Sequence, residues 1–140
     1  FLMENTYYVD AAIWIDLFED RKGYNNEPLG EFAHLFLGLV KIRNEKIVVT
    51  DFLFEELRRG YTMQELEKLF ALFKELIIKI VVKKEECEEA AKISKERNIP
   101  KGDALHTVVS RNMYLILIAR DRHFDQLKDI AAHYKPEDII

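Results

Sequence analysis

The chain has 140 residues, 49% apolar and 33% charged, which suits one folded core and excludes a disordered or fibrous polymer. Its 21 basic and 25 acidic side chains leave a net charge of −4, which excludes a uniformly basic nucleic-acid coat but not a local basic rim. One cysteine, Cys87, excludes an internal disulfide and a cysteine-built zinc site.

In chain order, short apolar runs alternate with longer stretches of helical period. The opening residues FLMENTYY have neither a basic start nor an apolar core, so no signal peptide is expected and the expected compartment is the cytoplasm. The run TYYVD (6–10) reads as a first strand ending in Asp10, followed by the helical AAIWIDLFED. Gly23, Pro28 and Gly30 break the chain before a second helix, with Phe32, Leu35, Phe36, Leu39 and Val40 as its apolar stripe. KIVVTD (46–51) is a second strand, and the helix after it ends by Gly60. Leu66, Leu69, Phe70, Phe73 and Leu76 mark a further helix, and IIKIVV (77–82) a third strand. KKEECEE (83–89) opens a helix at its dipole-favoured end. The small residues Cys87, Ala90, Ala91 and Ser94 of that helix suggest close packing on a sheet. Pro100 and Gly102 precede a helix beginning near Asp103, with Ala104, Leu105, Val108 and Val109 on its apolar face. YLILIARD (114–121) reads as a fourth strand, and Ala131–Tyr134 as a weak last one. Such alternation predicts one α/β domain over 1–140, its parallel strands buried on both faces. No apolar run reaches the roughly 20 residues of a bilayer span, so no membrane partner is expected.

Four acids stand out. Asp10 and Asp121 follow strands one and four, Glu56 lies on the helix after strand two, and Asp103 opens a late helix. Each has an ordinary alternative: a helix cap for Asp10 and Asp103, a turn for Asp121, a solvated helix face for Glu56. Glu55 is the better candidate for the surface member of its pair. In parallel sheets, ligands bind beyond the carboxyl ends of the strands where strand order reverses, which is where Asp10 and Asp121 fall if strands one and four are neighbours. Carboxylates meeting there repel by about 4 kcal/mol per pair at 4 Å and an effective dielectric of 20, so they call for a cation or raised pKa values. His34, His106, His123 and His133 show neither HExxH nor HxxxH spacing, and an oxygen-only donor set selects Mg²⁺ or Mn²⁺. Such an ion suits hydrolysis of phosphodiesters by activated water.

At these residues the chain resembles the PIN-domain family, and within it the VapC-like toxin ribonucleases of toxin–antitoxin systems. YYVDAAIWIDLF (7–18), VTDFLFEELRRG (49–60), GDALHTVVSRN (102–112) and LILIARDRHFDQL (115–127) carry the resemblance, GDALH and ARDRHF most specifically. It implies a three-layer α/β/α fold with strand order 3-2-1-4-5. It also implies a Mg²⁺- or Mn²⁺-dependent endoribonuclease, a homodimer and a cognate antitoxin. The family's acids map onto Asp10, Glu56, Asp103 and Asp121 as the catalytic set. Asp10, Asp103 and Asp121 would hold the metal, with Glu56 and Asp125 as further candidates. Where the family commonly carries Thr or Ser, this chain has Ala11 and Ala119, which keeps a second reading open: a catalytically weak or inactive module that binds RNA or protein.

RNA contact requires local basic residues, since the overall charge is acidic. Arg59, Lys101, Arg120 and Arg122, with Arg58 and Arg111, border the four motifs and are the candidates. His106, one turn beyond Asp103, is expected as an ordinary packed or surface histidine. Trp14 is expected in a core or dimer surface, and Phe124 beneath the site. No GxGxxG or GxxxxGK[ST] points to a nucleotide fold, and no DxDxT to a phosphatase.

Overall fold

The computed structural model describes residues 5–140; residues 1–4, part of the stretch read as lacking a signal peptide, lie outside the described residues. The elements run β1 (Thr6–Val9), α1 (Ala11–Glu19), α2 (Leu29–Ile42), β2 (Lys46–Thr50), α3 (Asp51–Leu57), α4 (Met63–Ala71), β3 (Ile77–Ile80), α5 (Lys84–Arg97), α6 (Lys101–Met113), β4 (Ile116–Ile118), β5 (His133–Tyr134) and α7 (Pro136–Ile139). Two 3₁₀ segments, Lys74–Leu76 and Arg122–Leu127, precede β3 and follow β4. All strand pairs are parallel and the order is β3-β2-β1-β4-β5. Helices flank the sheet in three layers, as the resemblance implies.

The central strands are apolar throughout because helices cover both faces. Tyr7, Tyr8, Val9, Ile47, Val48, Leu117 and Ile118 are buried. In register, Tyr8 lies beside Val48 on one side and Leu117 on the other. β3 forms one edge, and there Ile78 and Lys79 reach solvent. Trp14 anchors α1 in the core, with Phe70 of α4 edge-on at 5.0 Å. Among the described residues, no helix is long and apolar enough to cross a membrane.

Several boundaries differ from the sequence reading. α2 buries Ala33, Phe36, Leu37 and Val40, so its inward stripe is rotated and Leu35 is exposed. The period through Leu76 is interrupted, since α4 stops at Ala71 and a 3₁₀ turn carries the chain into β3. α5 packs chiefly on α6 rather than through a full small-residue face on the sheet, and Ala91 is exposed. β4 spans three residues of the eight-residue run, and α7 has no counterpart in the sequence reading.

Gly30 fixes how α1 meets α2. A Cβ there would lie 2.5 Å from Asp20 Cα and 2.8 Å from the Asp16 carbonyl, both backbone. Gly38, on the same helix, faces open space. Gly30→Ala is therefore expected to destabilise by on the order of 1–3 kcal/mol through overpacking. Gly38→Ala should stabilise by up to about 1 kcal/mol through helix propensity. Urea midpoints of the two variants check both signs.

Candidate active site

The reversal of strand order falls between β1 and β4. Asp10 leaves the end of β1 and its backbone N–H donates to the Ile118 carbonyl of β4 at 2.9 Å, which ties the two strand ends together. Asp10 occupies the N-cap position of α1, but its side chain makes no capping hydrogen bond. It points instead into a buried cluster. His106 Nε2 of α6 lies 3.5 Å from Asp10 Oδ1 and 2.6 Å from Glu56 Oε1 of α3. Glu56 is thus the inward acid of the EE pair, while Glu55 is exposed.

A polar chain holds His106 from behind. Its Nδ1 lies 2.7 Å from Tyr8 Oη, and Tyr8 Oη lies 2.6 Å from Thr50 Oγ1. Thr50 also caps α3, accepting the Leu53 N–H at 3.0 Å. A carboxylate only accepts, so Nε2 of His106 is the donor to Glu56. Burial alone would push the imidazole down. The Glu56 hydrogen bond, with Asp10 and Asp103 nearby, instead holds it above the usual histidine range. Burial pushes Tyr8 well above the usual phenol range, so it stays a hydroxyl. His106 is therefore wedged between two acids and braced from behind by Tyr8, not the ordinary packed or surface residue expected from its spacing.

Asp103 and Asp121 form the outer half of the cluster, together with His123. Asp103 sits in the first turn of α6, which begins at Lys101; it is not the cap. Asp121 caps the 3₁₀ segment, its Oδ1 accepting the His123 N–H at 2.8 Å. The His123 ring folds back over both acids. Its Nδ1 lies 2.7 Å from Asp121 Oδ1 and 3.4 Å from Asp103 Oδ2, yet it is buried with no hydrogen-bond partner among the described residues. Burial raises Asp103 first, then the charges of Asp10 and Asp121, and its pKa reaches about 6. Burial likewise raises Asp10, with His106 opposing the shift.

The remaining candidates divide. Asp125, expected as a further ligand, pairs with His133 at 3.3 Å and Lys128 at 3.8 Å, and His123 stands in the cluster instead. Arg120, expected on an RNA rim, is held bidentately by Glu137 of α7 at 2.6 and 2.8 Å. Arg111 is held in the same way by Glu89 of α5. Arg59, Lys101 and Arg122 are exposed. Phe124 is buried, as expected for a residue under the site. Each half of the cluster also contains a histidine beside its acids, which the oxygen-only reading of the sequence did not include. The only sequence signal for either was its place within GDALH or ARDRHF.

A PIN domain family model matches residues 7–130. The fold is also similar to a solved chain described as a toxin–antitoxin complex from Klebsiella pneumoniae, with 18% identity and a TM-score of 0.65. That match covers 93% of this chain and 97% of the other. Among curated proteins none matches.

Two variants test this geometry. In the folded state the Asp103 carboxyl titrates near 6 against an ordinary value of 3.8. A raised acid favours the folded state most when protonated, so its contribution falls as pH rises from 3.8 to about 6 and stays low above. In metal-free protein, Asp103→Asn should therefore raise the melting temperature at pH 8 and give no such gain below pH 3.8. A Cβ on Gly102 would lie 2.8 Å from Glu56 Oε2, the mobile end of a side chain. Gly102→Ala should displace that carboxylate with little loss of stability, read as a shifted His106 ring resonance in NMR at an unchanged melting temperature.

Proposed function

The chain belongs to the PIN domain family, and from that premise and the site's geometry we propose that it is a divalent-metal-dependent endoribonuclease, the VapC-like toxin of a toxin–antitoxin pair. The observation that carries the reading is the convergence of Asp10, Glu56, Asp103 and Asp121 at the strand reversal, with Asp103 pushed up to about 6 partly by its acidic neighbours. Acids so crowded have a use for a cation. The donors fit one. Asp10 is buried, and its single ion-pair contact among the described residues is His106 at 3.5 Å. Glu45 and Glu86, buried acids elsewhere, differ. Glu45 accepts from Tyr7 Oη and the Asn5 N–H, and Glu86 from the Lys83 N–H and Asn112 Nδ2.

In this reading Asp10, Asp103 and Asp121 would hold Mg²⁺ or Mn²⁺, which would supply charge neutralisation at a phosphate and a more acidic water. Glu56 orients the attacking water. His106 holds Glu56 in place through Oε1, and Tyr8 and Thr50 hold His106. Arg59, Lys101 and Arg122 contact RNA phosphates. The partners of this reading are RNA in the cytoplasm, a second copy of the chain in a homodimer, and a cognate antitoxin. The antitoxin is supported by the similar solved chain, described as a toxin–antitoxin complex.

The test is cleavage of labelled structured and single-stranded RNA with Mn²⁺, Mg²⁺ or chelator. The protein should cut only with metal, and Asp10→Asn and Asp121→Asn should each lower the rate by at least about a hundredfold. Ala11 and Ala119 support the alternative, a weak or inactive binding module. RNA binding without cleavage, unchanged in both variants, would select that reading.

A further inference from the structure

The two histidines of the cluster are used differently. Both ring nitrogens of His106 are engaged, one by Glu56 and one by Tyr8. The His123 ring is 44% exposed, yet its Nδ1 is buried and without a hydrogen-bond partner among the described residues. That is an unusual state for a buried ring nitrogen, which ordinarily finds a donor or an acceptor. The contact with Asp121 is short at 2.7 Å, but Oδ1 of that residue already accepts the backbone N–H of His123. Ring and backbone of one residue therefore press on the same oxygen.

The spacing has another meaning. Ligands about 2.0–2.2 Å from an ion sit near 3 Å from one another when they occupy adjacent octahedral positions. The distances from Nδ1, 2.7 Å to Asp121 Oδ1 and 3.4 Å to Asp103 Oδ2, bracket that value. The 3₁₀ turn makes the arrangement local. Asp121 caps the turn, and the ring two residues later folds back over both carboxylates. The inner half already contains the imidazole of His106 between its acids, whereas the outer half has two carboxylates and a ring nitrogen without a hydrogen bond among the described residues.

We propose that His123 supplies Nδ1 as a nitrogen ligand to the cation held by Asp103 and Asp121, so that this site takes Mn²⁺ and related transition-metal ions in preference to Mg²⁺. The inference rests on the metal-dependent reading above and adds a residue and a selectivity to it. Imidazole strengthens binding to transition metals and gives little to Mg²⁺, which favours oxygen and water. Asp125 has no part, being paired with His133 and Lys128.

Electron spin-echo spectroscopy of Mn²⁺ on the full chain tests this directly. A nitrogen bound to the ion gives ¹⁴N modulation. Wild-type protein should show it, and His123→Gln should lose it, with folding verified by circular dichroism. By calorimetry, the same variant should lose at least about tenfold in Mn²⁺ affinity and change by less than about twofold for Mg²⁺. Modulation that persists in His123→Gln and vanishes in His106→Gln would overturn the assignment in favour of the inner histidine. Bound Mn²⁺ without ¹⁴N modulation would overturn it as well, leaving the metal-dependent nuclease intact with oxygen ligands only. No Mn²⁺ uptake at millimolar concentration would overturn both.

Discussion

Repulsion among carboxylates at one sheet edge is the constraint to which the rest of the site responds. Asp10, Glu56, Asp103 and Asp121 come from four separated stretches of chain, and a low-dielectric edge magnifies their mutual cost. Two responses are visible. His106 is inserted between Asp10 and Glu56, its Nε2 donating to Glu56 and lying 3.5 Å from Asp10, and the two acids hold its pKa up against burial. Asp103 takes the other course and holds its proton to a higher pH than a solvated aspartate would. Two buried acids elsewhere are satisfied differently: Glu45 and Glu86 accept hydrogen bonds on both oxygens.

Topology forces the meeting. Parallel strands run their carboxyl ends to one edge, and the chain places β4 against β1 on the side opposite β2. The reversal opens a gap between the helices that follow β1 and β4. α3 turns up from β2, its N-terminus capped by Thr50, and presents Glu56 from its last turn. α6 brings Asp103 and His106 in one helical turn, and Gly102 lets its start approach Glu56 without a side chain between them. The relay from Thr50 through Tyr8 to His106 then links β2, β1 and α6, so the inner half of the site is braced by the sheet itself.

The parts legible in the sequence were those set by local pattern. β1, β2 and β3 were visible as apolar runs, and their ends marked Asp10 and the start of α3. GDALH and ARDRHF carried the late acids. The parts not legible depend on contacts far apart in the chain or on geometry that no period reports. His106 lies fifty positions from Glu56, and nothing near it in sequence reveals the partner. Asp125, the further candidate that the resemblance implied, faces His133 and Lys128. In an α-helix a residue four beyond Asp121 would share its face, but a 3₁₀ segment has three residues per turn and rotates that position away. Arg120 looked exposed because α7, four residues long, is too short to show a period, and Glu137 on it occupies the guanidinium. The apolar series through Leu76 overran α4 because the 3₁₀ turn continues the inward spacing after the helix has ended.

The two halves of the cluster differ in solvent, and that difference orders their roles. The side chains of Asp10 and Glu56 are 9% and 18% exposed, and that of His106 is fully buried. Asp121 and His123 are 48% and 44% exposed. A solute entering from the strand edge therefore meets the outer pair first. There, water screens the charges and the side chains can adjust at little cost. In the inner trio His106 is tied to Tyr8 of the sheet and Glu56 to His106, and in this drier setting the same charges act more strongly. On the proposed reading the outer half would serve capture and release, and the inner half the orientation of what has been captured. Asp103 belongs to both, since its charge is felt by His106 and its carboxylate faces His123; burial, with the charges of Asp10 on one side and Asp121 on the other, raises its pKa against the pull of the two histidines.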